Sequence, residues 1–168
     1  MIIRPLSGND ASTYRTLRLE ALQTNPDAFI TTYEQEKNKP NAIETTAQRL
    51  DSDHARTFGV FIEEKLVGNV TLQKEYHPKF AHKASILAMF VHPECRGLGA
   101  GEMLLEKAIQ FSKAIGLEVL QLCVVKDNLP AKRLYEKVGF REYGVEHKAI
   151  KLEDRYLDEI QMEYFLQD

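Results

Sequence analysis

Six consecutive residues, Arg96, Gly97, Leu98, Gly99, Ala100 and Gly101, carry the densest chemical signal in the chain. An apolar stretch precedes them and a run with helical spacing follows. The N-terminus of a helix presents unpaired N–H groups and a partial positive charge. Glycines there tolerate positive φ and let backbone approach a phosphate closely. Arg96 adds a cation with a planar fork of donors. The segment therefore suits a phosphate or pyrophosphate, although a glycine-rich turn that merely starts a helix would look the same in isolation. Two nucleotide patterns are excluded. A Walker A loop needs Lys and Ser or Thr after its last glycine, and here Glu102 and Met103 follow. A dinucleotide fingerprint G-x-G-x-x-G/A begun at Gly97 finds no third small residue, and no acidic residue ends the next strand. What remains is Arg-x-x-Gly-x-Gly.

A second pattern lies downstream. Asn128, Ala131, Leu134, Tyr135, Gly139 and Phe140 fill N-x-x-A-x-x-L-Y-x-x-x-G-F. Read alone, Tyr135 is a core aromatic with a satisfied hydroxyl. The two motifs in this order, with a helix and a strand between them, resemble the GNAT acyltransferase superfamily. The resemblance runs over the whole chain in element order and is sharpest over residues 85–140.

That resemblance implies acetyl-CoA as acyl donor and direct transfer to a primary amine of a small molecule, an amino acid or a peptide N-terminus. It implies that the strands before the two motifs splay apart, so that backbone of Met89, Phe90 and Val91 pairs with the pantetheine arm like an added strand. Backbone N–H groups from Arg96 through Gly97, Leu98, Gly99, Ala100 and Gly101 would hold the pyrophosphate. Asn128 would cap its helix and reach the pantetheine, and Ala131 would be small so that the arm can pass. Tyr135 would act as general acid toward the departing sulfur. A homodimer is also expected on this basis. The base departs from the pattern: many relatives carry a Glu in the strand before the loop, and residues 85–91 contain no carboxylate. Glu34 and Glu36, in the segment that often lips the acceptor site, are the candidates, with His82 as a further one. Two readings compete with this one. The first is a non-catalytic acyl-CoA-binding module, and the second is transfer to a hydroxyl. An acyl-cysteine route through Cys95 is disfavoured, because only His92 stands near it in sequence.

The elements that must position these groups follow from hydrophobic spacing. Ile2, Ile3 and Arg4 read as a first strand. Asp10 is a good N-cap for a helix with Tyr14, Leu17, Ala21 and Leu22 inside, stopped by Asn25-Pro26. Asp27 is read as capping a short helix over residues 29–37. Asn41 with Glu44 resembles a capping box, with Ile43, Ala47 and Leu50 as the stripe behind it. Residues 57–62 and 66–72 read as a hairpin about Glu63-Glu64-Lys65, and residues 76–82 as a loop. Residues 85–91 are a strand whose continuous apolarity predicts burial on both faces. A long helix with Leu104, Leu105, Ala108, Ile109, Ser112 and Ile115 on one side ends at Gly116. Residues 119–125 are a buried strand, and Asn128 caps a helix with Pro130 in its first turn. Strands over 140–148 and 156–165 complete the chain. The order β-α-α-β-β-β-α-β-α-β-β predicts an α/β (α+β mixed sheet) fold with helices on both faces.

Composition sets the outer bounds. The 168 residues predict one domain, 1–168, at roughly 100–200 residues per domain. A net charge of −3 and a pI near 6.0 argue against a nucleic-acid partner. The longest apolar run is the six residues 86–91, against the ~20 that span a bilayer, so no membrane partner is expected. No apolar h-region follows Arg4-Pro5, so a signal peptide is not expected and the cytoplasm is the default compartment. Cys95 and Cys123 fit it as free thiols. The five histidines form no zinc-type cluster with cysteine, and no metal is expected.

Overall fold

The structure is a computed structural model and describes residues 1–166. The chain opens with β1 (Ile2–Pro5), α1 (Ala11–Thr24), α2 (Tyr33–Lys37) and α3 (Ala42–Leu50). A meander follows: β2 (Ala55–Ile62), β3 (Lys65–Lys74) and β4 (Lys83–Val91). Then come α4 (Ala100–Ala114), β5 (Val119–Val125), α5 (Leu129–Val138), β6 (Arg141–Lys151) and β7 (Tyr156–Phe165). The seven strands of the described residues join one mixed sheet in the order β1-β2-β3-β4-β5-β7-β6. Every neighbouring pair is antiparallel except β4 and β5. This is the expected class. No helix among the described residues is long and apolar enough to cross a membrane.

Each sheet face has its own core. Val70, Leu72, Leu104, Leu105, Leu120 and Met162 belong to the larger cluster, which seats α4 and α5. Leu6, Tyr14, Leu17, Leu50, Leu66 and Phe90 belong to the second, which seats α1 and α3. Burying one such large side chain contributes ~1.5–3 kcal/mol, so both layers are anchored independently of any ligand.

The first third of the chain differs in detail from its sequence reading. Three helices precede β2, as the three capped segments imply and one more than the element order counts. Asp27 lies in a 3₁₀ turn over Pro26–Ala28, and α2 begins later, at Tyr33. The stronger cap is Thr32: its hydroxyl accepts from Gln35 N at 3.2 Å, and Gln35 Oε1 accepts from Thr32 N at 2.9 Å. Asn41 is not a side-chain cap either. It stands at φ 48° with no capping bond, the left-handed conformation that Asn tolerates. The buried stripe of α3 is Ala42, Thr46 and Leu50, while Ile43 is exposed. Further on, β6 begins one residue later than expected and runs to Lys151.

Asp10 does more than precede α1. Its carboxylate accepts from both terminal nitrogens of Arg4, at 2.9 and 2.7 Å, and from Ser7 N at 2.9 Å. This knot ties β1 to the start of α1. The Arg4 hydrogen bonds hold the Asp10 pKa down at about 2, against the opposing effect of burial, with the Ser7 N–H adding to them. A carboxylate whose pKa is lowered on folding stabilises above its ordinary value of ~3.9 and loses that contribution as pH falls toward the folded value. Arg4 is half exposed, which screens the pair. Asp10→Ala is therefore expected to cost about 1 kcal/mol near pH 7. Urea midpoints of the two proteins should differ there and converge as the pH approaches 2.

Candidate active site

The site begins where two parallel strands stop pairing. β4 and β5 are in register only at Lys83↔Val119, Ala84↔Leu120 and Ser85↔Gln121. Beyond that, β4 stays with β3 as far as Gly68↔Val91, and β5 stays with β7 as far as Val125↔Glu159. The strands diverge as the family resemblance implied. A cleft of about 1380 Å³ opens beside them, lined by residues 85–91 of β4 and 121–125 of β5. This corrects the expectation that β4 is buried on both faces: Leu87 is 42% exposed and Ala88, Met89 and Val91 only half buried. The strand is apolar partly because it walls a cleft.

A bulge sits at the middle of that wall. Between the pairs Asn69↔Phe90 and Thr71↔Leu87, one residue of β3, Val70, stands against two of β4, Ala88 and Met89. Ala88 takes up the extra length at φ 51°, in the left-handed region that a Cβ disfavours. Buried Asn69 secures it, donating from Nδ2 to the Ala88 carbonyl at 2.6 Å. The bulge reverses the alternation of the strand. Ala84 and Ile86 pack into the α4/α5 core, and a regular strand would send Phe90 the same way. Instead Phe90 packs into the α1/α3 core, and Met89 and Val91 take the α4 side. Alanine is no turn residue, so nothing in the sequence announced this.

Beyond β4, Gly97 and Gly99 adopt φ 77° and 83°, and a Cβ on either would meet nothing within 4 Å. These glycines therefore serve the backbone path and leave open the space in front of it. The first helical bond of α4 runs from Met103 N to Gly99 O at 3.0 Å. No acceptor among the described residues takes the N–H groups of residues 97–102. The Arg96 N–H is already donated to Pro93 O at 3.2 Å, so the free donors begin one residue later than the sequence implied. The Arg96 side chain is also committed: Nε donates to Val91 O at 3.0 Å and a terminal nitrogen to Asn25 Oδ1 at 2.8 Å. It braces the end of β4 against the end of α1. Gly101 has a different reason: a Cβ there would lie 2.9 Å from Leu134 Cδ2, so glycine lets α4 and α5 approach.

The second motif frames the opposite wall. Asn128 caps α5, its Oδ1 accepting from Ala131 N at 3.3 Å, and both residues line the cleft. Tyr135 is 7% exposed and lines the cleft too. Every fully enclosed side-chain polar atom among the described residues has a partner. The Tyr135 hydroxyl has none among the described residues, so it opens on the cleft. Burial pushes its pKa well above the ordinary phenol value, so it is a proton donor at neutral pH.

The candidate bases lie elsewhere. Glu34 is exposed on α2, near Asn38. Glu36 pairs with Arg15 at 3.0 Å and lines only a smaller cavity next door. Neither they nor His82 line the main cleft. Among the described residues, two carboxylates do. Glu102 is neutralised by Lys137, whereas Glu159 has no cationic partner among the described residues. Burial, and then Glu146 facing it across β6 and β7, raise the Glu159 pKa. Cys123 lines the same wall, and burial, Glu159 and Glu146 raise its pKa, so it stays a thiol. Glu159 escaped the sequence reading because it carries no motif. It reaches the cleft only through the pairing of β7 with β5. Among the described residues, no three His, Cys, Asp or Glu side chains converge on a metal position.

Residues 20–140 match the Acetyltransferase (GNAT) family, and the chain belongs to that family. YwnH of Bacillus subtilis, named as a candidate phosphinothricin acetyltransferase, is 28% identical over 98 residues, 56% of this chain and 60% of that protein. The streptothricin acetyltransferase of Escherichia coli is 29% identical over 116 residues, 68% of this chain and 64% of that protein. The matches thus span less than two thirds of either relative. The structure of yncA, a candidate acetyltransferase from Salmonella typhimurium solved with its cofactor acetyl-CoA, superposes with a TM-score of 0.84. That likeness covers 100% of this chain and 95% of the other at 19% identity, and speaks to the fold.

The loop geometry has a direct consequence. Placing a Cβ at Gly99 strains its backbone by ~1–2 kcal/mol and fills part of the space before the free N–H groups. Gly99→Ala is expected to weaken the binding of a pyrophosphate-bearing probe, CoA itself, about ten-fold in calorimetry, with an unchanged circular dichroism spectrum.

Proposed function

We propose that this chain transfers acetyl from acetyl-CoA to a primary amine of a small molecule, an amino acid or a peptide N-terminus. The observation that carries the reading is one cleft holding three things together: unpaired N–H groups at residues 97–102, an unpaired β4 edge from Ile86, and the free hydroxyl of Tyr135. These fit a pyrophosphate, an amide-bearing arm and a leaving sulfur respectively. The acetyl-CoA held by the similar Salmonella protein supports the same donor. The two relatives are named for different acceptors, so neither name carries an acceptor across.

Acetyl-CoA supplies the activated acyl group; the residues of the chain supply position and proton traffic. The N–H groups of residues 97–102 face the diphosphate and α4 adds its dipole. The bulged β4 edge aligns the acyl end of the donor. An amine must be neutral to attack, and Glu159, directly or through water, accepts its proton. The raised pKa of Glu159 makes it a stronger base than a solvated carboxylate. Tyr135 donates to the sulfur as the bond to carbon breaks, which its protonated state permits. Glu159 takes the role for which Glu34 and Glu36 were candidates, because it shares the cleft with Tyr135 and they do not.

The intact Tyr135 and Glu159 favour turnover over a module that only binds acyl-CoA. With acetyl-CoA and a panel of amines, thiol release should be amine-dependent. Tyr135→Phe is expected to lower kcat by about 100-fold while calorimetry finds the acetyl-CoA affinity retained; an undiminished kcat removes Tyr135 from the mechanism. Glu159 must be ionised to act, and burial with Glu146 opposite raises its pKa, so activity should fall on the acid side at a higher pH than for an ordinary glutamate. In Glu159→Gln the rate should fall and that acid-side ionisation should vanish from the kcat profile.

A further inference from the structure

The main cleft has a smaller neighbour. A cavity of about 190 Å³ lies among α1, α3 and β4, and Arg18, Arg49 and Ala88 line both spaces. Its cations are Arg18, Arg49 and Lys39, and its one carboxylate, Glu36, is already paired with Arg15. The side pocket is therefore net positive. Neither Arg18 nor Arg49 has a carboxylate partner among the described residues. Aromatic rings hold them in place instead. The Arg18 guanidinium carbon lies 4.8 Å from the centre of the Phe29 ring, and that of Arg49 lies 5.0 Å from the centre of the Tyr14 ring. A ring orients a guanidinium without cancelling its charge. Among the described residues Arg56, Arg96, Arg133 and Arg141 also lack carboxylates: Arg133 and Arg141 are exposed and Arg56 lies over Phe111, none of the three lining either space, while Arg96 is tied to Val91 and Asn25.

We propose that the acceptor is a small amine bearing an anionic group, and that Arg18 and Arg49 seat this anion in the side pocket. The inference rests on the acetyltransferase reading and narrows its acceptor. The pocket is below the ~300 Å³ at which ordinary small-molecule sites begin, so it suits a carboxylate or phosphonate with a few carbons. Guanidinium forks match either group. Ala88 is the shared wall: an anion in the side pocket leaves the rest of a short molecule at the bulge of β4, where the main cleft begins. Amine and anion must therefore be a few bonds apart, as in an α-amino acid or an aminophosphonate. A long peptide presents no such anion beside its N-terminal amine.

The test pairs each standard L-amino acid with its α-amide and, for several, its aminophosphonate analogue. Turnover with acetyl-CoA and calorimetric binding to the protein saturated with CoA are both read. The best acid should exceed its amide about ten-fold or more in both, the loss expected of one charge-assisted hydrogen bond. Arg18→Gln and Arg49→Gln should collapse that preference toward one through KM, and Arg49→Lys should restore part of it. Circular dichroism and melting temperature confirm that each variant is folded. A phosphonate that surpasses its carboxylate analogue identifies the preferred anion. Acids that bind or react no better than their amides overturn the proposal, even in an active enzyme. Acids that bind selectively without any thiol release support it and overturn the acetyltransferase reading instead.

Discussion

The parting of β4 from β5 after Ser85 is the constraint on which the rest of this molecule depends. Each strand keeps a partner on its outer side, so neither loses its place in the sheet. Between them, one edge of β4 is left without a strand from Ile86 onward. An unpaired edge inside a protein is ordinarily a liability, and here it becomes the floor of a cleft. The glycine loop, the N-terminus of α4 and the hydroxyl of Tyr135 acquire a common focus only because this gap exists. Close the gap, and the loop would be a turn and the tyrosine a core residue.

The gap also separates charges. On the β5–β7 side, Glu159, Glu146 and Cys123 crowd together, and each ionisation there opposes the next. On the α1–α3 side, Arg18, Lys39 and Arg49 leave an uncancelled positive field. A small molecule carrying both a cationic amine and an anion would be turned end for end by that field, with its amine toward the carboxylates and its anion toward the guanidinium groups. Orientation would thus precede contact, and the proton acceptor would stand on the side to which the amine is drawn.

Much of this was legible in the chain before its structure. β5, β7 and the apolar side of α4 follow from hydrophobic spacing, because those segments serve a single large core. The glycine loop and the stretch from Asn128 to Phe140 were legible for another reason: glycine, a cap and a small residue answer local demands of backbone. The misreadings fall where two local signals compete. Asn41 has the residue type of a cap, but its tolerance of positive φ is what the turn needs, and Thr32 with Gln35 outweighs Asp27. Residues whose roles come from distant strands or helices left no trace at all. Glu159 depends on β7 lying beside β5, and Arg18 and Arg49 meet only because α1 and α3 share a face. By residue type Arg96 suits a phosphate, and its tie to Asn25, 71 residues away, is invisible to spacing.

The left-handed residue at Ala88 has an effect that reaches past its own position. It makes β4 two half-strands in opposite phase, one reading even residues into the α4 core and the other reading odd ones. Losing a single residue there would leave the ladder with β3 regular and would look harmless in a sequence alignment. It would keep Phe90 on the α1 side and Met89 beside Gly101, because Phe90 would still face Asn69 and Leu87 would still face Thr71; what it would remove is the outward step at Ala88 and the carbonyl that Asn69 holds. The bulge is thus an insertion whose flanks keep the faces of a strand one residue shorter, and straightening it with every residue kept is what would turn Phe90 out of the α1 core.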